Sequence, residues 1–157
     1  MHTANQVADF FLSKIDIEKG DTISPLKLQK LVYYAQAWNY TIFGEPIFNE
    51  RIEAWVNGPV VLSVYARFAG TTKYTSINLA TSAVTSPAFD EKTNKLLTEV
   101  LSLYGERSAQ YLENLTHSES PWIIARGDTP PYAISKNEIT LESMKDYYSK
   151  FLNGAKE

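Results

Sequence analysis

The sequence predicts a mostly α domain of five to seven helices with a minor β element, spanning residues 1–157 as one unit. Apolar residues recur at helical spacing in several separate segments. Seven isolated glycines lie at the edges of these segments, and only one short region is rich in strand-forming residues. A chain of 157 residues that is 44% hydrophobic is long enough to bury one sizeable core.

The first two helices are predicted from their capping residues. Thr3 and Gln6 have the spacing of a capping box, which predicts a first helix over residues 4–14. Ser24 followed by Pro25 is typical of an N-cap and a first helical residue. The apolar positions that follow predict a long helix that is central to the core; they are Leu28, Leu31, Val32, Ala35, Trp38 and Ile42.

The next region combines strand and helix signals. The stretch "PIFNERIEAW" predicts one or two short strands, with a hairpin over Asn49-Glu50. We interpret Gly58 as a sharp turn and Pro59 as the first residue of the following helix. The apolar residues of that helix are Val61, Val64, Tyr65 and Phe68.

The second half of the chain is predicted to be helical apart from two connections. Residues 70–89 are rich in Thr, Ser and Ala and predict a long surface connection, with one short strand near "YTSINL". Two helices and a short turn follow, over 96–104, 109–115 and 120–124. After a loop, Thr140 is expected to cap a last helix with the apolar residues Leu141, Met144, Tyr148, Phe151 and Leu152.

Composition excludes several kinds of site. The chain has no cysteine, which excludes disulfides and thiolate metal sites, and it has only two histidines, so we expect no metal and no cofactor. Each glycine stands alone, so no phosphate-binding loop is present. The net charge of −3 argues against a nucleic-acid partner. No signal peptide or membrane-spanning run is visible, and we expect a cytoplasmic protein with no membrane partner.

The stretch "LTHSESPW" holds the strongest candidate for a catalytic site. His117 and Glu119 are both chemically active residue types, which leaves open an enzyme acting on nucleotides or nucleic acid. Catalysis needs groups that meet in space, however, and neighbours in sequence do not show this. The residues favour a structural interpretation, in which a helix ends near Thr116 and Trp122 is buried. In the same way, Lys27 and Lys30 are most simply a solvated helix edge.

Four segments, taken in order, resemble a known family. They are "ISPLKLQKLVYYAQAWNY", "IEAWVNGPVVLSVYARF", "SAQYLENLTHSESPWIIAR" and "ITLESMKDYYSKF". Together they resemble the Panacea, or SocA-like, antitoxin domain, which is also met as a phage-associated protein. The resemblance runs over about residues 3–151. The positions that match the family motifs are Lys27, Gln29, Lys30, Trp55, Gly58, Pro59, His117, Pro121 and Trp122.

The resemblance implies an antitoxin that neutralises a cognate protein toxin by direct contact and has no enzymatic activity. For some members it also implies a role as an adaptor that presents the toxin to a host protease. A DNA-binding regulator is a further alternative, against which the acidic composition counts. Ten tyrosines are more than one small core readily buries, because each hydroxyl needs a partner. We therefore expect aromatic anchors for the toxin at the surface, with Tyr33, Tyr40, Trp55 and Tyr65 as candidates.

Overall fold

The long helix α2 (Pro25–Phe43) is the central element of the fold. The structure is a computed structural model that describes residues 1–154. Ser24 caps α2 by accepting a hydrogen bond from the Lys27 amide, and Gly44 ends the helix with φ +72°. Every residue of the segment 28–37 is buried. The middle of this helix is therefore surrounded on all sides, as its wide apolar face predicts.

The other elements pack around α2, and the mostly α prediction is confirmed. Within residues 1–154 there are seven α-helices, one 3-10 turn (Ile17–Lys19) and a small antiparallel sheet. The remaining helices are α1 (Ala4–Ser13), α3 (Leu62–Arg67), α4 (Glu91–Tyr104), α5 (Ala109–Ser118), α6 (Ser120–Arg126) and α7 (Leu141–Gly154). The strands are β1 (Ile52–Trp55), β2 (Gly58–Val61) and β3 (Glu138–Ile139), with β1 in the middle.

The predicted caps are confirmed at the two ends of the chain. Thr3 and Gln6 form the reciprocal bonds of a capping box at the start of α1. The Thr140 hydroxyl accepts a hydrogen bond from the Ser143 amide at the start of α7. Phe151 departs from prediction, since 47% of its surface is exposed although it was expected on the buried face of α7.

The hairpin predicted over Asn49-Glu50 is wrong. The hairpin instead joins β1 to β2 through Val56 and Asn57, with Trp55 opposite Gly58. Glu50 precedes the sheet, and its carboxylate accepts a hydrogen bond from the Ala4 amide at the start of α1. Glu50 therefore contacts the first helix and is not part of a turn.

Pro59 does not start a helix, which corrects a second prediction. It pairs with Ala54 inside β2, and α3 begins only at Leu62. The chain stays extended because the Gln29 side-chain amide donates to the Val61 carbonyl at 3.2 Å and accepts from the Val61 N–H at 2.9 Å. The turn role of Gly58 is consistent with its φ of +112°.

The connection 70–89 contains neither helix nor strand, so the strand predicted near "YTSINL" is wrong. Ile77 is nevertheless buried, and its amide donates to the Ile23 carbonyl at 2.8 Å. A further difference concerns residues 120–124, which were expected to be a short turn but belong to the seven-residue helix α6. No helix in the described part of the chain is long and apolar enough to cross a membrane.

Candidate functional site

A groove with a volume of about 540 Å³ opens beside the hairpin. The first turn of α2, the hairpin tip, α3 and the segments 69–73 and 134–136 form its walls. Trp55 and Tyr65 both line it, and their rings meet edge to face with centroids 4.8 Å apart. The other apolar residues of the lining are Pro25, Leu26, Val56, Val60, Val64, Phe68, Ala69 and Ile134.

The structure brings together two of the four predicted toxin-binding residues. Trp55 is half-buried and Tyr65 is 49% exposed, and both face the groove. Tyr33 was expected at the surface and is only 1% exposed, because its hydroxyl is hydrogen-bonded to that of Tyr148 at 3.0 Å. Tyr40 is half-buried and lies outside the groove lining. Tyr33 is therefore a core residue, and the expectation that it reaches the surface is wrong.

The motif around Trp122 holds the hairpin from the side of α5 and α6. The Trp122 indole donates to the Trp55 carbonyl at 2.8 Å, and the Arg126 guanidinium donates to the Ala54 carbonyl at 3.0 Å. His117 stacks on Trp122 with centroids 4.1 Å apart. Burial lowers the pKa of His117 below its ordinary value, so the ring is neutral at pH 7. These contacts support the structural interpretation of the "LTHSESPW" stretch.

Glu119 belongs to a different cluster from His117. Its carboxylate accepts hydrogen bonds from the hydroxyls of Tyr34 at 2.7 Å and Tyr148 at 2.8 Å. Burial raises the pKa of Glu119, while the two hydroxyls act in the opposite direction. The two residues of the alternative catalytic pair therefore have separate surroundings, since His117 stacks on Trp122 and Glu119 is hydrogen-bonded to two buried tyrosines. Their geometry does not provide a base that is oriented next to a nucleophile.

Lys30 is fully buried beneath the hairpin, so its interpretation as part of a solvated edge is wrong. Its ammonium donates to the Pro59 carbonyl at 3.4 Å. Burial lowers the pKa of Lys30 to about 7, although the nearby Glu113 carboxylate acts to raise it. A sequence signal existed, because Lys30 lies four residues after Leu26 and four before Tyr34 on the same helical face.

Because Gly58 has no side chain, Lys30 can occupy the space beside it. A Cβ at position 58 would lie 2.4 Å from Lys30 Cε and 3.0 Å from the Thr116 hydroxyl. Two motif positions far apart in sequence are therefore matched in shape. The glycine is required here both by its φ and by the side chain packed beneath it.

A polar network connects the hairpin tip to the rim of the groove. The Asn57 side-chain amide donates to the buried carboxylate of Glu113, which also accepts from Gln110 at 3.0 Å. The ammonium of Lys73 donates to the side-chain oxygen Oδ1 of Asn57 at 2.9 Å. The network has no local spacing signal in the sequence, because its members come from three distant segments.

No cluster of three or more residues that could bind a metal is found among the described residues.

The sequence of this chain matches the model of a known protein family. The family model described as "Antitoxin SocA-like, Panacea domain" matches residues 28–123, which is more than half of the chain. The chain belongs to the SocA-like antitoxin family.

A curated relative supports the same assignment, and the resemblance seen in the sequence is confirmed. This SocA-like chain is 34% identical over 137 residues to Antitoxin SocA of Caulobacter vibrioides (strain NA1000 / CB15N), covering 79% of the chain and 71% of the relative. No solved structure matches the chain.

The motif positions of this SocA-like domain converge on the hairpin. Gln29 and Lys30 bind β2 from below, and Trp122 binds β1 from the side of α6. Pro121 is buried in the first turn of α6. Lys27 is half-buried, and its backbone amide completes the Ser24 cap. The motifs therefore build the wall of the groove that carries Trp55.

Proposed function

We propose that this chain is an antitoxin that neutralises a cognate protein toxin by direct contact and acts as a single domain without catalytic activity of its own. Membership of the SocA-like antitoxin family is the observation that carries the proposal. The apolar groove adds a surface suited to a protein partner, because aromatic residues such as Trp55 and Tyr65 commonly dominate binding energy.

The proposal of a non-enzymatic role is supported by how the titratable groups of the motif are used. His117 stacks on Trp122, and Glu119 accepts hydrogen bonds from two buried tyrosines. Both side chains therefore stabilise the fold. The net charge of −3 also favours a protein partner over DNA.

The direct test uses the protein encoded by the reading frame next to this one. Expressing that neighbour alone should arrest growth, and co-expressing the antitoxin should restore it. The two purified proteins should form a stable complex in size-exclusion chromatography. A harmless neighbour, or growth that recovers without any complex, would contradict neutralisation by contact.

His117→Gln separates an antitoxin from an enzyme. An amide cannot titrate, so a catalytic histidine would lose its acid–base role completely. We expect the variant to restore growth as the unmodified protein does, with a stability loss of about 1 kcal/mol from the altered packing and hydrogen bonding. A folded, toxin-binding variant that no longer restores growth would favour the enzyme alternative.

The fate of the toxin distinguishes two routes to neutralisation. If the antitoxin acts by covering the toxin surface, the half-life of the toxin in cells stays unchanged when both proteins are present. If it acts as an adaptor for a host protease, the toxin half-life shortens and recovers when that protease is deleted. A pulse-chase measurement with the epitope-tagged neighbour gives this result.

A further inference from the structure

We propose that the groove beside the hairpin binds a protruding apolar segment of the toxin that carries a carboxylate next to its apolar side chains. This inference rests on the proposed function, since it names the surface and the chemistry by which the antitoxin holds its partner. It follows from three properties of the groove: its exposed apolar residues, the sign of its charges and the covered edge of its strand.

Exposed apolar surface in the groove lining comes from two separate segments. Tyr65 on α3 is 49% exposed, and Ile134 on the segment 134–136 is 85% exposed. Val60 and Phe68, which also line the groove, are buried. A volume of about 540 Å³ lies within the range of about 300–1,000 Å³ that is usual for binding pockets. The groove therefore has room for several apolar side chains of a partner and offers them exposed apolar walls.

The charges at the groove are of one sign. Lys73 and Lys136 are exposed members of its lining, and none of the described residues that line it is acidic. This local excess of positive charge stands out in a chain with 18 acidic and 15 basic residues. Lys73 is held in place through Asn57, which Glu113 in turn positions. Complementarity therefore favours a carboxylate beside the apolar segment of the partner.

The free edge of β2, the strand in the wall of the groove, cannot pair with another strand at Pro59 and Val61. The N–H and the C=O of Val61 are both bonded to the Gln29 side chain, and the Pro59 carbonyl accepts from Lys30. A partner must therefore be recognised through side chains in the groove and not through backbone pairing at these residues. Two lysines in an apolar lining also provide too few phosphate contacts for nucleic acid.

The test measures the affinity of the antitoxin for the purified product of the neighbouring reading frame by isothermal titration calorimetry. One groove variant reverses charge with Lys73→Glu and Lys136→Glu together, and another removes an aromatic ring with Tyr65→Ala. The matched controls are Lys19→Glu with Lys95→Glu, and Tyr111→Ala. All these residues are exposed, and the control positions lie outside the groove lining. Circular dichroism verifies that each variant is folded.

We expect each groove variant to raise the Kd by about tenfold or more, while the controls stay within about twofold. Added salt should weaken binding of the unmodified protein and should do so less for the charge-reversed variant. Because Lys73 touches Asn57, Lys136→Glu alone serves as a second charge variant that leaves this network intact.

The outcomes separate this inference from the proposed function. If the unmodified protein binds its neighbour and all groove variants bind equally well, the groove is not the binding site, and the antitoxin proposal stands. If only Tyr65→Ala weakens binding, the groove binds an apolar segment of the toxin, but the proposal that this segment carries a carboxylate is overturned. If the unmodified protein neither binds the neighbour nor restores growth, the proposed function falls, and the inference falls with it.

Discussion

Two aromatic groups of this domain differ in the burial of their rings. In the tyrosine cluster, formed by Tyr33, Tyr34 and Tyr148, all three rings are buried, and their hydroxyls are hydrogen-bonded to one another or to Glu119. In the groove pair, formed by Trp55 and Tyr65, the Tyr65 ring is half-exposed. No partner for the Tyr65 hydroxyl is found within the described part of the chain. The Trp55 indole donates a hydrogen bond to the Glu53 carboxylate at 2.9 Å, so the two groups differ in the burial of their rings and in the Tyr65 hydroxyl. The buried cluster holds the core, whereas the partly exposed pair is available for binding.

The largest expected difference between the two groups is in stability. Tyr148→Ala should lower the free energy of unfolding by about 3–5 kcal/mol, because it leaves a cavity and removes a donor to Glu119. Tyr65→Ala should lower it by less than about 1 kcal/mol, because its ring is half in solvent. Urea unfolding followed by circular dichroism gives both values. Equal losses would show that the groove pair is part of the core.

A second, smaller effect tests how the groove wall is built. Gly58 and Gly44 both have positive φ, but only Gly58 has neighbours in the space of a Cβ. Gly44→Ala should cost about 1 kcal/mol through backbone strain. Gly58→Ala should cost about 3 kcal/mol, because its φ of +112° is less accessible to alanine and its methyl group would meet Lys30. Similar losses in the two variants would mean that Lys30 moves aside freely.

The third effect is the pH dependence that comes from burying Lys30. Its pKa falls from an ordinary value of 10.5 to about 7 in the folded chain. Between these values the unfolded chain binds a proton that the folded chain does not. The free energy of unfolding should therefore rise as the pH is raised from 7 to 9, by up to about 1.4 kcal/mol per unit.

Lys30→Met is the control variant. It should abolish the rise in the free energy of unfolding between pH 7 and 9. The measurement stays below pH 10 because burial raises the pKa of Tyr148, and a raised tyrosine pKa makes stability fall above that pH. His117, with a lowered pKa, titrates below the range used. A variant whose stability rises with pH as steeply as that of the unmodified protein would show that Lys30 is not the cause.

Local signals in the sequence were sufficient for the starts of α1, α2 and α7. The caps at Thr3, Ser24 and Thr140 are read from a few neighbouring residues, and the structure confirms all three. Pro59 was misinterpreted because a proline suits both the first position of a helix and an edge strand. The choice depends on Gln29, which holds the Val61 backbone extended from 32 residues away.

Only part of the candidate site could be predicted from the sequence, because its contacts also join residues that are distant along the chain. Trp55 and Tyr65 were identified as aromatic candidates, but nothing in the sequence distinguishes them from the buried Tyr33. That distinction depends on whether a residue distant in sequence, such as Tyr148, provides a hydrogen-bond partner for the buried tyrosine hydroxyl. The lysine at the groove rim, Lys73, gave no sequence signal because its partner Asn57 lies on another element.

Hydrogen exchange in the complex with the neighbouring gene product tests the central claim most directly. The account predicts that toxin binding slows amide exchange in the segments 55–73 and 132–137, which contain most of the groove lining. Exchange in 141–152, which carries Tyr148, should change little beyond any global stabilisation. Protection confined to other surfaces, with the groove segments unchanged, would contradict the assignment of the exposed aromatic pair to binding.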